Sequence, residues 1–149
     1  MTRLQGKVAV ITGANSGIGY ATAQEFIANG AKVIITGRNK ESVEKAAAEL
    51  GHGTVGIVSD AGNLADVKQL AEKVKAASPT IDILFVNAGV AKFMPLSAVD
   101  EEHFDEQFNI NVKGLYFTVQ GLLPLLKKGS SVILNASVVA HKGMQNASV

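Results

Sequence analysis

Thr12-Gly13-Ala14-Asn15-Ser16-Gly17-Ile18-Gly19 follows directly on the apolar run Val8-Ala9-Val10-Ile11. A strand that enters a glycine-rich turn and then a helix leaves backbone N–H groups unpaired at the helix start. Together with the positive end of the helix dipole they form a site for a phosphate anion. Gly13 permits a tight turn at unusual φ/ψ. Gly17 lets a ligand approach the backbone, and Gly19 lets the helix lie close to the strand. The spacing is G-x-x-x-G-x-G rather than G-x-G-x-x-G. A glycine triplet also suits a plain βα turn, but the position after a buried strand and before a helix favours phosphate binding.

The elements that must position this turn alternate along the chain. Strands are expected at 7–12, 32–36, 54–59, 82–86 and 131–135. Helices are expected at 17–29 with Gly30 as stop, and after Asn39 with Val43, Ala46, Ala47 and Leu50 on one face. Another carries Leu64, Val67, Leu70, Ala71 and Val74. A long one runs from about 101 to 127, capped at Ser97 or Asp100 and kinked at Pro124, with loop from there to Val149 apart from the fifth strand. Its apolar stripe reads Phe104, Phe108, Leu115, Val119, Leu122, Leu126. Repeated βα units with short buried strands predict one α/β domain over 1–149. It is a Rossmann-type doubly wound parallel sheet, and right-handed crossovers give it the order 3-2-1-4-5.

In such sheets ligands bind beyond the carboxyl ends of the strands. The 13–19 turn, Gly37 and Arg38, Asp60, Asn87-Ala88-Gly89 and Ser137 all fall there. Asn111 lies on the stripe of the long helix, where its amide needs partners. It either ties helix to sheet through backbone bonds or takes part in chemistry. His52, His103 and His141 share no metal spacing and are read as surface residues.

Thr12–Gly19, Asn87-Ala88-Gly89, Asn111-Val112-Lys113-Gly114 and Ser137 after a fifth strand resemble the short-chain dehydrogenase/reductase family. The resemblance covers the whole chain, as the N-terminal part of a longer member. It implies an NAD(P)-dependent oxidoreductase acting on a small carbonyl or alcohol substrate. Carried over by position, Gly13, Asn15, Ser16, Gly17, Ile18 and Gly19 line the cofactor phosphates. Asp60 accepts from the adenine amino group, and Asn87, Ala88 and Gly89 lie under the ribose. Ser137 and Asn111 are two members of a catalytic tetrad: one bonds the substrate oxygen, the other holds a relay water. An NAD enzyme usually places Asp or Glu after strand two to hold the ribose 2′-OH. Here stand Gly37 and Arg38. A guanidinium suits a 2′-phosphate, so NADP is expected, with NAD the alternative.

The family's Tyr-x-x-x-Lys motif does not occur in these 149 residues. Tyr20 and Tyr116 are each followed four places on by Gln, and the position expected for the motif's Tyr falls just past Val149. Turnover by these residues alone is therefore expected to be crippled. A non-catalytic NADP(H)- or partner-binding module and a non-functional gene remnant are the alternatives. The net charge of +1 offers no footprint for nucleic acid. No apolar run is long enough for a membrane span. The absence of cysteine fits a cytoplasmic setting. A homo-oligomer is implied for the complete form. The apolar, uncharged 131–135 strand is expected to make the isolated chain self-associate.

Overall fold

A computed structural model describes residues 2–149. The strands β1 (Val8–Ile11), β2 (Lys32–Gly37), β3 (Val55–Val58), β4 (Ile81–Val86) and β5 (Leu126–Leu134) form one sheet in the order β3-β2-β1-β4-β5. Every pairing is parallel. The order is the one expected from right-handed crossovers. The helices are α1 (Gly17–Ala28), α2 (Lys40–Leu50), α3 (Leu64–Ala77), α4 (Glu101–Phe108) and α5 (Leu115–Leu122).

Alternation along the strands builds a core on each face, because successive side chains point to opposite sides. Ala9, Ile11, Val33, Ile35 and Phe85 pack with Ala23 of α1 and Ala46 and Leu50 of α2. Val10, Ile34, Ile57, Leu84 and Val86 pack with Leu70 and Val74 of α3 and Leu122 of α5. Three helix starts carry side-chain caps. Asn39 accepts from Ser42 N–H, Asn63 from Ala65 N–H and Asp100 from His103 N–H. Asp100, rather than Ser97, is therefore the cap of α4.

The expected long helix is not continuous. Between α4 and α5, residues Asn109–Gly114 form a π-helical segment. The α-helix ends at Leu122, and Leu123–Leu125 continues as a 3₁₀ turn with Pro124 in its first turn. The wider π turn rotates the two halves relative to each other. Before it, His103 and Gln107 face inward; within it, Ile110 and Gly114 do; after it, Thr118 and Leu122 do. Phe104 and Phe108 are exposed and stack on each other with ring centroids 4.4 Å apart. The stripe expected from a uniform 3.6-residue period is thus wrong in its first half. His103, expected at the surface, is buried.

β5 begins earlier than expected. Its pairing jumps from Ile81↔Leu126 to Ile83↔Ser131, so residues 127–130 bulge out, with Gly129 at φ +89°. Ser130 Oγ donates to Ile81 C=O at 2.8 Å and accepts Lys127 N–H at 3.0 Å. Lys127 lies in this strand, not at a helix end. Its Nζ sits 2.9 Å from Asp82 Oδ1, and Lys7 Nζ lies 3.3 Å from the same atom. Asp82 Oδ2 accepts Val8 N–H at 3.0 Å. One carboxylate therefore joins β1, β4 and β5 at the end of the sheet opposite the glycine-rich turn.

Burial works against the charge of Asp82, but the Val8 N–H and the two ammonium groups outweigh it. They hold its pKa at about 2, below the ordinary 3.8. A depressed carboxylate pKa gives stability that is present above the unfolded value and lost as pH falls through the folded one. We expect Asp82→Ala to cost about 2–3 kcal/mol at neutral pH, mainly by leaving the Val8 N–H unpaired. The lysines are each half exposed and add little to that. In the native protein, acid titration between about pH 4 and pH 2 should remove on the order of 1–2 kcal/mol. Urea unfolding of both proteins across that range checks this. Equal pH slopes for the two would refute it.

Candidate functional site

The carboxyl ends of β1, β2, β3 and β4 surround a cleft of about 210 Å³. Gly13, Asn15, Ser16, Arg38, Asp60, Asn87, Ala88 and Gly89 line it, all singled out in the sequence. Gly37, Ser59, Ala61, Val90 and Ile110 complete the lining.

Thr12, directly after β1, organises the floor. It is buried, and its Oγ1 accepts two backbone N–H groups, from Asn87 at 2.9 Å and Ala88 at 3.0 Å. Asn87 Nδ2 donates in return to the carbonyls of Thr12 and Gly13, both at 3.2 Å. Its Oδ1 accepts Asn135 Nδ2 at 2.9 Å, which brings the end of β5 into the same network. Thr12 and Asn135 were not picked out as site residues in the sequence. The usable signal is a hydroxyl residue between the strand and the first glycine of the turn.

Gly13 has φ +63°, and a Cβ there would lie 2.8 Å from Ala88 Cα. Gly17 differs. Its φ is +58°, yet a Cβ would meet nothing within 4 Å, so packing within the chain does not account for this glycine. Ser16 stands at the N-cap of α1 but makes no side-chain cap bond, and the first turn holds no acidic residue. Thus α1, unlike α2, α3 and α4, keeps its N-terminal donors free of a side-chain acceptor at the edge of the cleft.

Gly37 is buried at the end of β2; a Cβ on it would lie 2.7 Å from Asn15 Oδ1 and 2.8 Å from Val43 Cγ2. No larger side chain fits without displacing both. Arg38 is exposed at the rim and has no ion-pair partner among the described residues. Across the cleft, Asp60 Oδ1 accepts Gly62 N–H at 2.8 Å, and Asp60 N–H donates to Asp66 Oδ2 at 3.0 Å. The Asp60 side chain therefore shapes its own turn and also lines the cleft.

Five sequence-predicted residues lie outside the lining. Gly17 and Ile18 stand exposed on the first turn of α1. Gly19 is buried beneath it, where a Cβ would lie 2.6 Å from Gly13 O and 2.7 Å from Asn87 Nδ2. Asn111 sits behind Gly89. Its Oδ1 accepts Val90 N–H and its Nδ2 donates to Val90 C=O, both at 2.8 Å. These are backbone bonds, as one of its two expected roles has it, but they tie the helix to the loop after β4 rather than to the sheet. Ser137 caps an exposed 3₁₀ turn, Val138–Ala140, its Oγ accepting Val139 N–H at 3.4 Å.

The chain matches the family model for short chain dehydrogenase over residues 7–149. It is 42% identical to Oxidoreductase asL5 of Sarocladium schorii over 99% of this chain and 60% of that protein. Among solved structures, it is similar to the 3-ketoacyl-(acyl-carrier-protein) reductase of Brucella melitensis complexed with NADH. There the TM-score is 0.89 and identity 36%, covering 97% of this chain and 62% of that one. A short chain dehydrogenase from Shigella flexneri gives a TM-score of 0.91 at 28% identity, covering 99% and 61%. The chain thus spans about three fifths of the length of these relatives.

Proposed function

The chain belongs to the short-chain dehydrogenase family, and from that premise we propose that it binds NADP(H) across this cleft. We further propose that the whole protein is an oxidoreductase acting on a small carbonyl or alcohol. The observation that carries the cofactor reading is the pairing of an α1 start free of side-chain caps with Arg38 on one rim. The N–H groups of Ser16 to Gly19 bind the phosphates. The space over Gly17 admits them. Arg38 holds the 2′-phosphate, Asp60 accepts from the adenine amino group, and the Asn87–Gly89 loop supports the ribose. When bound, the nicotinamide supplies or accepts the hydride.

Ser137 Oγ bonds the substrate oxygen. Asn111 Oδ1 keeps acceptor capacity beyond its bond to Val90 and holds a water of the proton relay. These 149 residues contain no Tyr-x-x-x-Lys, so on their own they are expected to hold the cofactor without turnover. The exposed faces of Val112, Tyr116 and Leu123 support self-association of the whole protein, and exposed Ile133 and Leu134 of the edge strand β5 support that of the isolated chain.

Calorimetric titration of the chain with NADPH and NADH tests this. NADPH is expected to bind at least about tenfold tighter, as one charge-assisted pair would give. Binding of neither nucleotide, or a preference for NADH, would refute the assignment.

A further inference from the structure

Two buried polar side chains of α4 lie outside the lining of the cleft. Gln107 is 5% exposed and His103 7%. The Gln107 amide uses every hydrogen it has. Its Oε1 accepts Lys92 N–H at 3.1 Å. Its Nε2 donates to Val149 C=O at 3.1 Å and faces His103 Nε2 at 3.1 Å. Lys92 N–H can only donate and Val149 C=O can only accept, so the amide cannot be turned around. His103 Nε2 is then the acceptor of the remaining hydrogen.

Gln107 also stands four residues before Asn111, which grips Val90 by both its N–H and C=O. Positions 111 and 107, four apart, hold chain positions 90 and 92, two apart, as successive rungs. The second rung extends to another segment. Met94 N–H donates to Asn146 C=O at 2.8 Å, and Met94 bridges Ala147 in parallel. The Lys92 ammonium pairs with Glu106 of the same helix.

We propose that Gln107 is a positioning residue. It holds the chain beyond Gly89 and the 146–149 segment at a set separation, and so shapes the substrate side of the cleft. His103 fixes the orientation of its amide. This rests on the reading of the cleft as a cofactor and substrate site. Asn111 governs the cofactor-proximal rung and Gln107 the distal one.

Residue-resolved amide exchange on the full chain tests it. In the native protein the Lys92 and Met94 amides are expected to be protected. Gln107→Met removes both anchors and should speed both amides roughly tenfold, the effect of a buried hydrogen bond or two. Gln107→Glu, at a pH where it is the carboxylate, keeps the acceptor for Lys92 but has no hydrogen to donate to Val149. It should rescue Lys92 and leave Met94 fast. A merely structural residue would not separate the two amides. Val10 and Leu84 amides should be unchanged, and NADPH affinity should stay within about twofold.

Unchanged Met94 exchange in both variants, or equal acceleration across the sheet, would overturn the proposal. So would a large loss of NADPH affinity. If Gln107→Met does not fold, Gln107→Glu still decides, and an unprotected Lys92 amide in the native protein overturns the proposal without any variant. If the native chain binds no NADPH, the cofactor reading fails while the exchange pattern still tests Gln107.

Discussion

Gly114→Ala is expected to destabilise the protein by about 3 kcal/mol, on the order of 10 °C in Tm. Helix propensity argues the other way. Gly114 has φ −62° and ψ −44°, ordinary helical values that alanine adopts freely. In an open helix the change would gain about 1 kcal/mol. Contact decides the sign. A Cβ at this position would lie 2.0 Å from the carbonyl oxygen of Ala61 and 2.9 Å from its carbonyl carbon. Both are backbone atoms, so no side chain can swing aside. The helix must move away from the loop after β3 by about an ångström, and a packed interior resists that.

The displacement would reach the site. Gly114 ends the π segment that carries Ile110, which lines the cleft, and Asn111, which holds Val90. We therefore expect weaker NADPH binding along with the lower Tm. Gly121→Ala is the control. In that case the nearest atom, Val67 O, would be 3.7 Å from the new methyl, an ordinary contact. Propensity should then prevail and stability stay level or rise. Thermal unfolding of both variants settles the comparison. A Gly114→Ala protein as stable as the native one would mean that the helix is not pressed against Ala61.

The contrast between these glycines shows where sequence reading reached its limit. The elements followed from apolar runs, caps and glycines, the strand order from right-handed crossovers, and eight of the cleft residues from their places after strand ends. The π segment did not. Its insertion is set by what the helix meets, namely the 90–94 backbone, whose polar groups need Gln107 and Asn111 turned inward. A fixed 3.6-residue period placed Phe104 and Phe108 inside instead, because it weighed hydrophobicity and ignored the partner surface. The signal was present as His103, Gln107 and Asn111 at successive spacings of four, a polar stripe on a helix that must be buried. The bulge at 127–130 escaped for a similar reason. Its cause is the reach of Lys127 to Asp82 and of Ser130 to Ile81, contacts 45 and 49 residues apart in sequence.

Arg38→Asp is expected to weaken NADPH binding by about 10- to 150-fold and to leave NADH binding level or improved. A charge-assisted bond to a phosphate contributes about 1.5–3 kcal/mol, and each 1.4 kcal/mol is tenfold in affinity. The substituted carboxylate would add repulsion of the 2′-phosphate. It could also accept from a ribose 2′-OH, which is the NAD arrangement. Position 38 is where this exchange has to be made. At Gly37 a Cβ would already lie 2.7 Å from Asn15 Oδ1, so a carboxylate there would disturb the glycine-rich turn itself and with it the proposed binding of either cofactor. Arg38→Lys separates charge from geometry: it keeps a point charge, loses the planar fork, and should fall between the two. Because Arg38 is exposed, its contribution is screened by salt, and the difference between cofactors should shrink as ionic strength rises. Titrations with both nucleotides at two salt concentrations measure all of this. Equal losses for NADPH and NADH would show that Arg38 supports the turn rather than the phosphate, and the preference for NADP would lose its only cationic ligand among the residues lining the cleft.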